Sequence, residues 1–362
     1  MATGFGIIGC GMIAQFHARA IADVRGAKLA ACYDAVPAAA DRLAQTTGCR
    51  AYHDLEALLA DKAVEVVTIG TPSGAHMEPA VAAARAGKHV IVEKPLDITL
   101  RRCDTIIEEC RQAGRTLSTI FPSRFHDSSR ELKKAVDGGR FGRLTVADAI
   151  VKWYRTQAYY DGGAWRGTWQ FDGGGALMNQ AIHSVDLLTW LMGPVTEVRA
   201  RTACLAHQRI AVEDVALATV QFANGALGVI EASTAIYPGY LKRIEIHGIE
   251  GSAVMEEEDL IRWDFVRPKP GDRALLDKMR HKVSGGGGAA DPAAIGHHGH
   301  SRQFRDVVQA IRKGTSPLVD GVEGRRSVEI ILAIYKAAET GRAVRLPLAG
   351  DPTLKARKTP GK

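Results

Sequence analysis

Three sets of residues in this 362-residue chain have types and spacings suited to chemistry. Near the start, Gly9-Cys10-Gly11-Met12-Ile13-Ala14 fits the pattern G-x-G-x-x-G/A. The first glycine permits a tight turn after a strand. The second lets backbone approach a pyrophosphate, and the small last residue lets helix pack on strand. The helix that follows would present free N–H groups and its positive dipole end to phosphates. Asp34 lies 20 positions after Ala14, at the end of the next apolar run, where a carboxylate can accept from ribose hydroxyls. It repels a 2′-phosphate, and Ala35 and Val36 bring no arginine, so the spacing predicts NAD over NADP, with Arg42 further along. A glycine turn that merely joins strand to helix is the plain alternative.

The second set is Glu93-Lys94-Pro95, at the carboxyl end of an apolar run. That end of a parallel sheet is where open α/β proteins bind ligands. An ammonium there points to chemistry rather than packing, and the proline suggests a cis bond. The third is Gly173-Gly174-Gly175 followed by Asn179, His183 and Asp186. In a helix starting near Ala176 these three polar groups stand at i, i+4 and i+7 on one face. A polar stripe on an otherwise apolar helix needs a partner or a function. A lone histidine would more often be a core residue; three polar groups after a glycine run favour a site.

These residues need elements to hold them. Residues 5–9, 28–33, 64–69, 89–92 and 116–120 read as strands, and 12–23, 37–46, 76–86 and 99–113 as helices. Near-continuous apolar strands alternating with helices predict a doubly wound parallel sheet. The pattern changes near residue 144. Over 144–155 and 195–266 apolar and polar residues alternate, and 215–222, Asn224-Gly225 and 226–231 form a hairpin signal. A helix near 176–191 interrupts these strands, and two more follow at 301–313 and 323–340. The expected class is α/β: an N-terminal Rossmann domain over 1–125, an α/β domain with a large open, mostly antiparallel sheet over 126–350 closed by the last helices, and a basic disordered tail over 351–362. Gly285–Gly288 reads as a mobile loop.

Composition narrows the function classes. Hydrophobic residues make up 46% and charged residues 24%, a soluble mix. Apolar runs fall short of the roughly 20 residues that span a bilayer. The opening residues lack the basic leader of an export signal, so the expectation is a cytoplasmic protein without membrane contact. Six scattered cysteines without a CxxC pair read as free thiols. The net charge of +7 is dispersed and partly in the tail, which suits anionic ligands and excludes a nucleic-acid partner. His297, His298 and His300 raise a zinc site, but no cysteine or carboxylate adjoins them in sequence. No metal is expected; a loop folding over the pocket, with His300 reaching inward, is preferred.

The order and spacing of the three motifs, over roughly residues 4–346, resemble the glucose–fructose oxidoreductase, inositol dehydrogenase and rhizopine-catabolism (Gfo/Idh/MocA) family. The resemblance implies a Rossmann domain, a second domain whose open sheet often forms the oligomer interface, and hydride transfer between nicotinamide and sugars or polyols. It assigns Lys94 and His183 as catalytic. Asn179 stands where many members carry aspartate, and Ala181 replaces a frequent glycine; asparagine can bind a hydroxyl but cannot act as a base. Thr71, Pro72 and His76 should border the nicotinamide, with Glu93, Lys94 and Arg124 also on the cofactor side. Tyr154, Trp165, Arg166, Asn179, His183 and Asp186 are the expected substrate residues, with Lys94.

The expected mechanism has His183 take the hydroxyl proton as hydride leaves, at an ordinary pKa of about 6.5 suited to reversible transfer. Lys94 binds the same oxygen and stabilises the alkoxide; Asn179 and Asp186 orient the substrate or His183. Aromatic rings among Tyr154, Tyr159, Tyr160, Trp165 and Trp169 could stack on a sugar, and Arg155 could bind a carboxylate or phosphate. The expected partners are a sugar or polyol and a second copy of the chain, as a dimer or tetramer. Two rival readings are an enzyme that retains NAD and oxidises a sugar only transiently, for cleavage or epimerisation, and a non-catalytic nucleotide-sensing regulator.

Overall fold

A computed structural model describes residues 2–280, 289 and 296–354. The chain forms two compact units, Met1–Pro122 with Gly296–Val328, and Ser123–Ile295 with Glu329–Lys362. The expected glycine loop at 285–288 and most of the expected basic tail lie outside the described residues.

The first unit begins with β1 (Thr3–Ile8), α1 (Met12–Ala22), β2 (Ala27–Tyr33), α2 (Pro37–Thr47), β3 (Arg50–Tyr52) and α3 (Leu55–Ala60). It continues with β4 (Val66–Ile69), α4 (Met77–Arg85), β5 (His89–Val92), α5 (Leu100–Gln112) and β6 (Leu117–Thr119). The six strands are all parallel, in the order β3-β2-β1-β4-β5-β6. Every residue of β1 is buried, as expected of a central strand covered on both faces. The strand order reverses between β1 and β4, so their carboxyl ends, Gly9 and Gly70-Thr71, mark the place where such sheets bind ligands. The sequence reading passed over β3 and α3. Each is too short for a period to register, although Asp54 accepts from Ala57 N–H at 2.8 Å as a helix cap.

The second unit carries α6 (Asp127–Asp137), β7 (Leu144–Lys152), α7 (Gln157–Asp161), a π-helix over Ala176–Ala181 and α8 (Ile182–Met192). Then come β8 (Val195–Ala203), β9 (Val215–Phe222), β10 (Leu227–Ser233), β11 (Arg243–Gly248), β12 (Gly251–Glu256), β13 (Asp259–Phe265) and α9 (Asp272–Met279). The eight-stranded sheet runs β13-β12-β11-β7-β10-β9-β8, ending on β14 (Val344–Arg345). Among the described residues of this sheet, only β7 and β10 pair in parallel. The predicted hairpin forms, with Val220 opposite Gly228 and Gly225 at φ 88°, a left-handed turn position that glycine adopts without strain. One face of β9 buries Ala216, Ala218, Val220 and Phe222, while Leu217, Leu227, Val229 and Val146 are exposed on the other.

Two helices close the chain, α10 (His298–Lys313) and α11 (Gly321–Thr340). The sequence reading gave both to the second domain. In the structure Gly296–Val328 joins the first unit. Phe304, Val307 and Val308 of α10 are buried in the same core as Phe5, Ile7 and Ile21, with the Phe5 and Phe304 rings edge to face at 5.7 Å. Burial of that apolar stripe decides the placement, and sequence order does not. All six cysteines are free thiols. Among the described residues no helix is long and apolar enough to cross a membrane.

Candidate active site

The glycine motif forms a tight turn from β1 into α1. A Cβ on Gly9 would lie 2.8 Å from the Gly70 carbonyl, and its φ is 93°, so only glycine fits. Gly11 differs: among the described residues, nothing beyond its own stretch of chain lies within 4 Å of where its Cβ would sit. Packing therefore does not demand glycine at 11, whereas backbone approach to a phosphate does. Gly11 is also the N-cap of α1 and no side chain caps that helix. Met12 is exposed and Ile13 packs against Gly70. One Asp34 oxygen accepts from Cys10 N–H at 2.7 Å and the other from Val36 N–H at 2.8 Å. Each carboxylate oxygen keeps a second lone pair, so the group can brace the turn and still accept from a ribose. These features fit a dinucleotide: Gly9, Gly11 and α1 for the pyrophosphate, Asp34 for the ribose.

Thr71 and Pro72 are half-buried in the loop after β4, where Thr71 Oγ1 donates to the Ala75 carbonyl at 2.8 Å. His76, expected beside the nicotinamide, is 1% exposed. Its ring nitrogens face the carbonyls of Pro95 at 2.8 Å and Thr71 at 2.9 Å, so it ties two loops together instead. Lys94 is half-buried and its bond to Pro95 is cis, as expected. Glu93, placed on the cofactor side by the sequence reading, is turned into the protein. Its Oε2 accepts from Lys94 N–H at 3.0 Å, and its Oε1 lies 2.9 Å from His17 Nε2 and 3.8 Å from His300 Nε2. Burial alone would raise its pKa; the His17 hydrogen bond and the charges of His17, His300 and Lys94 prevail and bring it down to about 2. His300 reaches inward as foreseen, and burial lowers its pKa to about 4. The three histidines do not share one site: His297 faces Asp23 at 3.1 Å.

In the second unit the helix bearing Asn179 and His183 starts as a π-helix, which a 3.6-residue reading did not foresee. Its wider winding changes the angle between Asn179 and residues beyond Ile182; Asn179 and His183 are half-buried, whereas Asp186 is buried. Asn179 Nδ2 donates to Asp172 Oδ1 at 2.6 Å, and Asp172 Oδ2 accepts from Gly167 N–H at 2.9 Å. His183 is half-buried in the first turn of α8. Asp186 is fully buried and paired with Arg124, whose Nε and terminal nitrogen donate to its two oxygens at 2.8 and 2.6 Å. The sequence reading sent Arg124 to the cofactor and Asp186 to the substrate. A buried guanidinium requires a counter-charge, and each supplies it to the other.

The aromatic segment divides. Tyr160 joins Ile210 and Val212 in a small core, and Trp169 Nε1 donates to the Ala211 carbonyl at 2.9 Å with its ring edge to face on Tyr335. Tyr154 N–H bonds the Ala289 carbonyl at 3.1 Å and its ring meets Tyr237. Arg155 is buried and donates to the Tyr154 and Ala289 carbonyls. Arg166 lies over the Tyr159 ring at 4.4 Å and the Trp165 ring at 5.5 Å, and donates to the Tyr159 carbonyl at 3.0 Å. Its Nε has no hydrogen-bond partner among the described residues. Sequence reasoning missed Asp172, His17 and Glu213; the last is a buried carboxylate whose pKa burial pushes up to about 7. Each meets its partners only in the fold, so no local spacing marks it.

Residues 3–121 match the oxidoreductase family with an NAD-binding Rossmann fold, and residues 129–254 match the GFO/IDH/MocA C-terminal domain. The chain belongs to the Gfo/Idh/MocA oxidoreductase family. Among solved structures it is similar to the WlbA dehydrogenase of Bordetella pertussis in complex with NADH and UDP-GlcNAcA, at 35% identity over 96% of this chain and 98% of that one, TM-score 0.87. It is 30% identical to an inositol 2-dehydrogenase of Saccharopolyspora erythraea, over 98% of each chain. It is 28% identical to a myo-inositol 2-dehydrogenase of Thermotoga maritima, over 94% of this chain and 98% of that protein. As a Gfo/Idh/MocA oxidoreductase it has an NAD-binding Rossmann domain over residues 3–121. The asparagine at 179 also gains a physical account. An aspartate there would set a second carboxylate against buried Asp172, whereas the amide donates to it.

Proposed function

We propose that this chain is an NAD-dependent dehydrogenase that oxidises a secondary hydroxyl of a nucleotide-linked sugar acid, with Lys94 and His183 as its catalytic residues. The observation that carries this reading is the likeness, along nearly the whole chain, to a dehydrogenase whose structure holds NADH and UDP-GlcNAcA. NAD, when bound, accepts the hydride. His183 takes the hydroxyl proton at an imidazole nitrogen as that hydride leaves. The Lys94 ammonium hydrogen-bonds the same oxygen and stabilises its developing negative charge. Glu93, fixed by His17, holds the Lys94 backbone N–H and so fixes where the ammonium stem begins. Asn179 offers its amide oxygen to a sugar hydroxyl while its nitrogen is tied to Asp172. Arg166, stacked on Tyr159 and Trp165, binds a carboxylate or phosphate of the substrate through its unpartnered Nε. The open face of the eight-stranded sheet pairs two copies of the chain.

The test is NADH formation with UDP-linked uronic acids, free uronic acids, aldoses and inositols. The reading expects the UDP-linked acids to turn over best, and Lys94→Ala and His183→Ala each to lose about 10²–10⁴-fold in kcat. Turnover confined to inositols would place the chain beside its inositol-dehydrogenase relatives instead. Copurified cofactor with no net NADH release would favour transient oxidation. Near-normal activity of either variant would end the catalytic assignment.

A further inference from the structure

Glu213 has no part in the mechanism above, yet its whole residue is spent on one short stretch of backbone. It is 1% exposed, and no cation lies within ion-pair distance among the described residues. Its Oε2 accepts from Gly175 N–H at 3.0 Å, and its Oε1 accepts from Leu177 N–H and from the Tyr335 hydroxyl, both at 2.9 Å. Its own carbonyl accepts from Ala176 N–H at 3.1 Å. Three consecutive N–H groups therefore end on this one residue. They are among the first donors of the π-helix, which intrahelical bonds leave without partners and a capping group must satisfy. The glycine run makes this approach possible. A Cβ on Gly175 would lie 1.7 Å from the Glu213 carbonyl oxygen, and one on Gly174 would lie 2.1 Å from the Tyr335 hydroxyl.

We infer that Glu213, backed by Tyr335, is a positioning residue that seats the first turn of the π-helix and thereby sets where Asn179 and His183 stand. The inference rests on the reading that these two residues serve the reaction. It also gives two glycines of the run a reason: bare backbone is required against the Glu213 main-chain carbonyl and the Tyr335 phenol. Asn179 N–H bonds the Gly175 carbonyl at 3.0 Å, so a shift at Gly175 passes directly to Asn179. A displacement of about 1 Å at a reacting group can cost 10²-fold in rate.

Glu213→Gln is the main variant. It keeps the side-chain shape and one acceptor oxygen, but turns an NH₂ donor toward a backbone N–H. Tyr335→Phe removes one donor and leaves the carboxylate on the backbone. The measurements are kcat and KM for the sugar, the NADH dissociation constant by fluorescence, and the melting temperature, with kinetics run well below it. Glu213→Gln should lower kcat about tenfold or more with KM and NADH affinity within about twofold of wild type. Tyr335→Phe should lower kcat by a smaller factor with the same split. Wild-type kcat in Glu213→Gln, or equal losses in kcat, KM-derived affinity and NADH binding, would overturn the inference. Should Glu213→Gln fail to fold, an unchanged kcat in Tyr335→Phe overturns it. His183→Ala separates the two claims: if it stays active the catalytic reading fails, whatever the Glu213 variants do.

Discussion

The Asp34 carboxylate braces the glycine turn through Cys10 and Val36. We propose for it a second purpose that can be separated from the first, a negative charge that repels a 2′-phosphate. Asp34→Asn keeps an acceptor oxygen and removes the charge. It should raise the NADP-to-NAD ratio of kcat/KM by about tenfold, one interaction of ~1.4 kcal/mol, in steady-state assays with both cofactors. Arg166 makes the matching case for the substrate. A charge-assisted hydrogen bond contributes about 1.5–3 kcal/mol, so Arg166→Ala should raise KM for an anionic sugar about 10–100-fold and leave a neutral sugar unaffected. Arg166→Lys should recover little, because an ammonium neither stacks on Tyr159 nor presents the same fork. The glycine turn from β1 into α1 was legible in the sequence because it belongs to a motif whose spacing is local. Glu93, His76, Arg124 and Asp186 were legible as important but not in what they touch. Their partners are other buried groups, and burial is a property of the fold.

Among the elements, the short connection into β9 carries two adjacent carboxylates with opposite behaviour. Burial raises the Glu213 pKa to about 7. Asp214 is also buried, but it is bonded by His207 and by the N–H groups of Leu205, Ala206 and His207, and these pull its pKa down to about 2. A lowered carboxylate pKa means stability that is present above the ordinary value of 3.8 and lost as pH falls toward 2. The shift corresponds to about 2 kcal/mol. Asp214→Asn should therefore melt below wild type at pH 6 by roughly that free energy, and the gap should close as pH falls from about 4 to 2 in thermal melts followed by circular dichroism. A gap independent of pH would count against it. The sequence revealed the β9–β10 hairpin through alternation and Asn224-Gly225, but not the π-helix. Nothing in local composition distinguishes wide from ordinary winding, and the carboxylate that bonds its first turn, with the phenol behind it, lies far along the chain, at Glu213 and Tyr335.

At the scale of the whole molecule, the outward face of the second sheet is the feature that monomeric proteins avoid. Leu217, Leu227 and Val229 lie exposed on neighbouring strands, with Val146 directly beside Leu227. The proposed pairing of two copies uses these exposed side chains. Leu217→Glu combined with Leu227→Glu should convert a dimer or tetramer into monomers by light scattering, with NADH binding retained in the first unit. Wild-type protein that runs as a monomer would refute the pairing. The domain order was legible from the change of period near residue 144; the return of α10 was not, because a helix's apolar stripe does not name the core it will join.

That return has a consequence for how the protein is made. Residues up to 122 are synthesised well before α10, so their core lacks Phe304, Val307 and Val308 until that helix has been made. The nascent nucleotide-binding half must wait with its apolar seam uncovered, which invites chaperone attention during translation. A gene fragment ending near residue 125 would therefore yield aggregates rather than an isolated cofactor-binding module.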